Sequence, residues 1–422
     1  LRFVREPKLG ETQETATGSW RPAAGRFENW PKLAKDITVL DPCMGSGHFL
    51  VFALPILSAF RRAEEEGLDE RAAVKAVLAE NLYGLEIDPR CTQIAAFSLG
   101  LAAWKRLGGP ELLPQLNLAC SGLAIGLGKA EFLKLAERIA DAEGWTGKTD
   151  LLGTDRTPLG ERAAARLRGG LARLYELFEM APHLGSLIDP RRVVVGDFGN
   201  LFEEGFDGLE RVLDKVLRDP SVNYETRETA VTTQGIASAA ALLSHRFTLV
   251  VTNVPYLGRG NMSDVLFDYT EDAFPECKND LSSCLIARLL NSRACSVFVV
   301  APQALSFQKS YRNFRARIIG RQLAFLVRLG ERAFESPEAA GAFVSFYGLE
   351  PGSRKERYIA ADVALGVNAN QKLDLLRSSG FVIIEYDVVA SSKSVLFPTE
   401  RSDSEHASLG EVATSSHGQG TF

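Results

Sequence analysis

Short runs of apolar, β-favouring residues recur along the chain, and each stops at a polar or glycine/proline turn. The first is Ile37, Val39 and Leu40. It ends on Asp41 and enters the turn Gly45-Ser46-Gly47, after which apolar residues recur with a helical period over 49–66. Residues 82–87 repeat the unit, followed by the turn Asp88-Pro89 and a helix over 92–107; an extra helix is expected over 69–80. Further strands are expected at 193–195, ending on Gly196-Asp197, at 247–252, ending on Asn253, and at 297–300, ending on Ala301-Pro302. Five apolar strands alternating with helical patterns predict an α/β fold, a mostly parallel sheet with helices on both faces. Ligands of such sheets bind beyond the carboxyl ends of the strands, and every motif discussed below lies at such an end.

The pattern is weaker in three regions. Residues 1–36 are polar and rich in Pro and Gly and read as an irregular lead-in. Residues 110–190 read as a helical insertion, with helical periods at 129–143 and 161–179 around a Gly/Thr-rich break at 144–160. Residues 351–422 turn Ser-rich, with a β-like run at 381–386, and read as a linker and the start of another domain. The α/β body then spans 37–350. A length of 422 residues leaves room for two to three domains at roughly 150 residues each.

A composition of 45% hydrophobic and 24% charged residues is that of an ordinary globular protein and excludes a disordered tail or a fibre. The longest apolar stretches fall short of the ~18 residues that span a bilayer, so no membrane partner is expected. Six cysteines, at 43, 91, 120, 277, 284 and 295, include no CxxC pair and no histidine at finger-like spacing. Neither a metal nor a disulfide framework is indicated, and a reducing cytoplasm is the simplest setting. The chain starts at Leu1 and runs out in Ser, Gly and Thr, which suggests a piece of a longer protein. The net charge of -5 argues against a wholly basic nucleic-acid binder, yet the distribution is uneven. Seven basic residues, Lys309, Arg312, Arg315, Arg317, Arg321, Arg328 and Arg332, face one acid, Glu331, over 309–332. Such a stripe suits a phosphate backbone and equally suits a solvated helix face.

The sequence Asp41-Pro42-Cys43-Met44-Gly45-Ser46-Gly47-His48-Phe49 brings a ligand close to backbone N–H groups at a helix start. A dinucleotide fingerprint would need Gly at Leu50, and a phosphate loop would need Lys at His48, so both phosphate readings are weakened. Glu86, with Ile87 after it, ends the second strand, where a carboxylate can accept both hydroxyls of a ribose or simply be solvated. Asp197 and Phe198 at the third strand end could accept from and pack on an adenine, or, as the pair taken alone suggests, be a turn Asp followed by a core Phe. The fourth strand runs into Asn253-Val254-Pro255-Tyr256.

This last run resembles the NPPY motif of amino-group methyltransferases, with Val254 in place of the first Pro. Together with DPxxGSGxF upstream, it resembles S-adenosylmethionine-dependent adenine-N6 DNA methyltransferases, and most nearly the PglX type of the BREX phage-defence systems. The resemblance covers roughly residues 37–350, with supporting segments at 196–198, 280–290, 301–305 and 326–334. Weaker likeness at 408–421 suggests the opening of a target-recognition domain.

The resemblance implies a class I, Rossmann-like methyltransferase fold with S-adenosyl-L-methionine as cofactor and adenine in double-stranded DNA as target. Other phage-defence subunits would be its partners. It assigns Asp41, Pro42, Gly45, Ser46, Gly47, Phe49, Glu86, Ile87, Asp197 and Phe198 to the cofactor. Phe49 and the glycine turn would line its methionine part, Glu86 its ribose, and Asp197 with Phe198 its adenine. The target base would be held by Asn253, the carbonyl of Val254, Pro255 and Tyr256. Two other readings stay open. One is methyl transfer to RNA or to a protein glutamine; the other is a cofactor-binding subunit weakened by Val254, whose role is assembly.

Overall fold

The computed structural model describes residues 3–5, 17, 20–22, 29–126, 128–142, 168–169, 171–172, 174–190, 224–292, 294–334, 341–378 and 382–386. Its strands, in chain order, are β1 (Phe3–Arg5), β2 (Trp20–Pro22), β3 (Val39–Asp41), β4 (Leu82–Glu86), β5 (Asn117–Cys120), β6 (Leu249–Asn253), β7 (Ser296–Pro302), β8 (Leu323–Gly330), β9 (Val344–Leu349), β10 (Arg357–Asp362) and β11 (Val382–Glu385). The chain forms two compact units. One joins Leu33–Phe247 with Met262–Tyr269; the other joins Leu1–Lys32, Thr248–Asn261 and Thr270–Phe422.

In the first unit β3, β4 and β5 run parallel, paired in that order. The helices α1 (His48–Glu64), α2 (Glu70–Glu80) and α3 (Pro89–Leu107) follow from the sequence pattern. Leu50, Leu54, Leu57 and Arg61 recur on the buried face of α1 at the expected spacing. Asp69 caps α2 by accepting the Ala72 N–H at 2.7 Å. Asp88-Pro89 is more than a turn, because Asp88 caps α3 and Pro89 starts it, three residues before the expected helix. Adjacent residues of a strand face opposite sides. Gly84 of β4 lies against Met44 and Leu50 of the α1 side, while Tyr83 packs edge-on against Phe247 at 5.3 Å, beyond the helix Tyr224–Ser244. Both faces of β4 are therefore covered.

β5 lies inside the stretch expected to be a helical insertion. The expected strand at 193–195, with Asp197 and Phe198, lies outside the described residues. The expected helix at 129–143 is present as α4 (Lys129–Ala142).

In the second unit the strand order is β6, β7, β9, β8, β10, β11. β6 and β7 are parallel, with Asn253 opposite Val300. β9 runs antiparallel to both of its neighbours, β7 and β8. β10 returns parallel to β8, and β11 closes the edge antiparallel. β10 and β11, which lie within the segment 351–422 expected to be a linker and the start of another domain, thus extend this sheet. Val327, Ala361 and Val363 form a core packed by Phe325, Leu329, Phe346, Leu375 and Leu376. The lead-in, expected to be irregular, pairs β1 with β2, and the Trp30 indole donates to Ser296 Oγ at 2.8 Å. No helix among the described residues is long and apolar enough to cross a membrane.

Candidate functional site

The first unit carries the residues expected to hold a cofactor. Asp41 closes β3 buried, and its Oδ1 accepts the Cys43 N–H at 3.2 Å, which turns the chain off the strand. Met44 N–H donates to the Leu85 carbonyl at 3.0 Å and anchors the turn onto β4. Gly45 and Gly47 have φ of 54° and 84°, a region closed to most side chains, and Gly47 then caps α1. Ser46 and Phe49 are half-buried beside it. His48 opens α1 exposed, with Nδ1 3.0 Å from Ser46 Oγ.

Glu86 differs from the open acceptor expected of it. Its Oε2 accepts the Gly45 N–H at 2.8 Å, and its Oε1 accepts the N–H groups of Ile87 at 2.8 Å and Asp88 at 3.2 Å. A carboxylate has about four acceptor positions, so three backbone donors leave room for one more. The same bonds fasten the glycine turn to the end of β4. Next to it, the Arg90 side chain and N–H hold the Asp88 carboxyl down at about 2.

The third strand end in this unit is that of β5. Ser121 N–H donates to the Glu86 carbonyl at 2.8 Å and Cys120 Sγ to the Ile87 carbonyl at 3.4 Å. The Ser121 side chain is 0% exposed, and its hydroxyl has no partner among the described residues. Sequence reasoning missed this strand end. Its signal was the short run Asn117-Leu118-Ala119-Cys120 stopping at Ser121-Gly122, without the β-branched residues that mark stronger strands.

The second unit carries the residues expected to hold a target base. Asn253 ends β6 exposed, and its Oδ1 accepts the Tyr256 hydroxyl at 2.6 Å. The amide expected to meet an amino group is thus held by its own motif. Val254 is 1% exposed, and its N–H donates to the Val300 carbonyl at 3.3 Å, adding one bond to the β6–β7 ladder. Pro255 is exposed. Tyr256 is 38% exposed as a residue, while burial of its hydroxyl end, and then Tyr347 and Asp280, push that hydroxyl well above the ordinary phenol range. The loop beyond is tied to residues 279–281 by two backbone hydrogen bonds. Leu281 N–H donates to the Leu257 carbonyl at 2.9 Å and Arg259 N–H to the Asn279 carbonyl at 3.0 Å. Asp280 caps the helix Leu281–Leu290, and burial raises its carboxyl above the usual range.

The basic run over 309–332 is not one stripe. It is broken across a 3-10 turn (Lys309–Tyr311), a π-helical turn (Phe314–Ile319) and β8, with Arg312, Arg321 and Arg332 between or after these elements. Arg315 is 9% exposed and donates to the carbonyls of Leu305 at 3.0 Å and Gln308 at 2.9 Å, a structural use. Arg317 pairs with Glu276 at 3.2 Å and Arg328 with Asp362 at 3.0 Å. Lys309, Arg312 and Arg332 remain exposed.

Residues 80–334 match the family model of the Eco57I restriction-modification methylase. The chain is 28% identical over 310 residues to the adenine-specific methyltransferase BrxX of Escherichia coli O9:H4 (strain HS), covering 71% of this chain and 24% of BrxX. It is 25% identical over 313 residues to the adenine-specific methyltransferase PglX of Lacticaseibacillus casei (strain Zhang), covering 72% and 23%. The chain therefore spans about a quarter of the length of these relatives. Among solved structures, a nuclease-deletion mutant of the Type ISP restriction-modification enzyme LlaGI, in complex with a DNA substrate mimic, matches with a TM-score of 0.46 and 13% identity, over 84% of this chain and 24% of that one.

Proposed function

Because this chain belongs to the Eco57I restriction-modification methylase family, we propose that it transfers a methyl group from S-adenosyl-L-methionine to N6 of adenine in double-stranded DNA. Its setting would be a restriction or BREX-type phage-defence system, in the cytoplasm and beside other subunits of that system. The observation that carries the proposal is the end of β6, where an exposed asparagine amide is oriented by the hydroxyl of an exposed tyrosine three residues on.

The residues at the ends of β3, β4 and β5 fit the cofactor. The turn is open in front of Gly45, Glu86 keeps acceptor capacity for a ribose hydroxyl, and the buried Ser121 hydroxyl is free to bond a polar ligand edge. When bound, S-adenosylmethionine supplies an electrophilic methyl group on its sulfonium.

The chain's own work lies in the target base. An exocyclic amino group is a poor nucleophile because its lone pair is delocalised into the ring. Acceptors on its two N–H bonds favour a pyramidal nitrogen as positive charge develops. Asn253 Oδ1 and the Val254 carbonyl are those acceptors. With the Tyr256 O–H already on Oδ1, the amide stands in one orientation before a base arrives. Extruding the base costs a few kcal/mol, and stacking on the ring of the exposed Tyr256 returns roughly 1–3 kcal/mol. In-line placement of methyl and nitrogen supplies much of the remaining acceleration.

Methyl transfer would belong to residues 37–350, with β10 and β11 continuing the sheet and target recognition left to the sequence beyond β11. The test is incubation of the chain with unmethylated DNA and S-adenosylmethionine labelled in the methyl group, followed by nucleoside analysis. Label in N6-methyladenine is expected; label in RNA or protein alone would overturn the substrate. A second reading, a cofactor-binding subunit without transfer, is favoured by the buried Val254 at the motif's second position. It predicts cofactor binding with no labelled product.

A further inference from the structure

Residues 184–190 are buried without a break, although they come from the far end of the stretch that sequence assigned to an insertion. Their contacts converge on the two strand ends that carry the cofactor motifs. Ser186 Oγ donates to the Pro42 carbonyl at 2.5 Å, inside the turn that leads to Gly45 and Gly47. Gly185, at φ 48°, faces Ile87 so closely that a Cβ there would stand 3.0 Å from Ile87 Cδ1. Ile87 is crowded by a second glycine as well, since a Cβ on Gly122 would stand 2.1 Å from its carbonyl oxygen. The Leu187 carbonyl accepts the Tyr269 hydroxyl at 3.4 Å, which fixes the segment in turn.

We infer that Ser186 is a positioning residue for the cofactor, acting through the Pro42 carbonyl to hold the glycine turn where the amino-acid end of S-adenosylmethionine is bound, with Gly185 seating Ile87 at the adenosine end. The inference rests on the cofactor reading above. Its physical basis is the division of labour along the turn. Met44 and Gly45 are tied to β4 by their N–H groups, and Pro42, which has no N–H, is tied through its carbonyl to Ser186. Removing that hydroxyl frees the first residue of the turn while leaving β4 and Ile87 in place.

The experiment compares two ligands on the 422-residue chain. S-adenosylhomocysteine carries the amino-acid end; 5′-methylthioadenosine lacks it. Calorimetry on Ser186→Ala is expected to show S-adenosylhomocysteine binding about fivefold weaker, the worth of one hydrogen bond. Binding of 5′-methylthioadenosine should stay within twofold, and Ser186→Thr should restore the loss. A purely structural serine would weaken both ligands together, and an idle one neither; either result overturns the inference. If Ser186→Ala does not fold, amide hydrogen exchange on the wild type carries the test. S-adenosylhomocysteine should then protect 184–189 along with 41–49, and protection of 41–49 alone would overturn the role. Wild-type protein that binds neither ligand would remove the cofactor reading itself, and this inference with it.

Discussion

Replacing Val254 by proline writes the family's usual residue into the motif, and the structure gives a reason to expect a loss. The Val254 N–H donates to the Val300 carbonyl at 3.3 Å in a buried stretch of the sheet. Proline has no N–H, so Val254→Pro leaves the Val300 oxygen without that donor. An unsatisfied buried acceptor costs about 1–3 kcal/mol. The 3.3 Å length marks a weak bond, so about 1 kcal/mol is expected, close to a fivefold shift toward the unfolded state. Trp30, whose indole donates to Ser296 at the start of β7, gives a fluorescence signal from the same unit during urea unfolding. With a slope of roughly 1–3 kcal/mol per molar urea, the midpoint should fall by about 0.3–1 M. Val254→Ala is the control, since it keeps the N–H and loses only packing. Methyl transfer by Val254→Pro should not exceed that of the wild type, because Pro255 already holds residue 254 extended. An unchanged midpoint together with a faster rate would refute the reasoning and show that ring rigidity, and not the ladder bond, governs this position.

Glu86→Gln turns one acceptor oxygen into a donor that faces backbone N–H groups, so S-adenosylhomocysteine affinity should fall at least tenfold by calorimetry, and amide exchange of 45–47 should quicken. Tyr256→Phe keeps the stacking ring and removes the donor on Asn253; single-turnover transfer should fall about tenfold with cofactor affinity unchanged. Asp88 has its carboxyl lowered to about 2 by Arg90. The stabilisation from its ionised form is therefore complete above about pH 4 and lost as pH falls toward 2, a window that Asp88→Asn should erase from an acid unfolding curve. Replacing Lys309 and Arg312 by alanine should flatten the salt dependence of binding to unrelated duplexes by about two charges, whereas Arg317→Ala, already paired with Glu276, should change it less.

The parts of the fold that could be read in advance are those with dense local signals. The run into Asp41, the glycine turn, α1 and the β4 unit all declared themselves by apolar period and turn chemistry. β5 did not, because it carries no β-branched or aromatic residue and its place is decided by pairing with β4. The order of β8 and β9 was equally hidden, since no local feature says that the later strand inserts between two earlier ones. Of the candidate site, positions were legible and bonding was not. Sequence offers Glu86 and Asn253 as acceptors, but only the fold reveals that Gly45, Ile87 and Asp88 already donate to one and Tyr256 to the other. The basic run misled for the same reason, because counting charge cannot tell that Arg315 turns inward to backbone carbonyls.

The insertion of β9 between β7 and β8 also sets a schedule for synthesis. As the chain leaves the ribosome, β7 emerges by residue 302 with β6 as its partner on one side only, and β8 by residue 330 with no partner, and the strand that joins them, β9, is complete only at Leu349. During that interval two apolar strands present open edges, the arrangement that invites pairing with other chains. A fragment trimmed to residue 334, the last position of the family match, would make that interval permanent. Expression of this body as a free-standing piece therefore depends on carrying the sequence through β9, and better through β11.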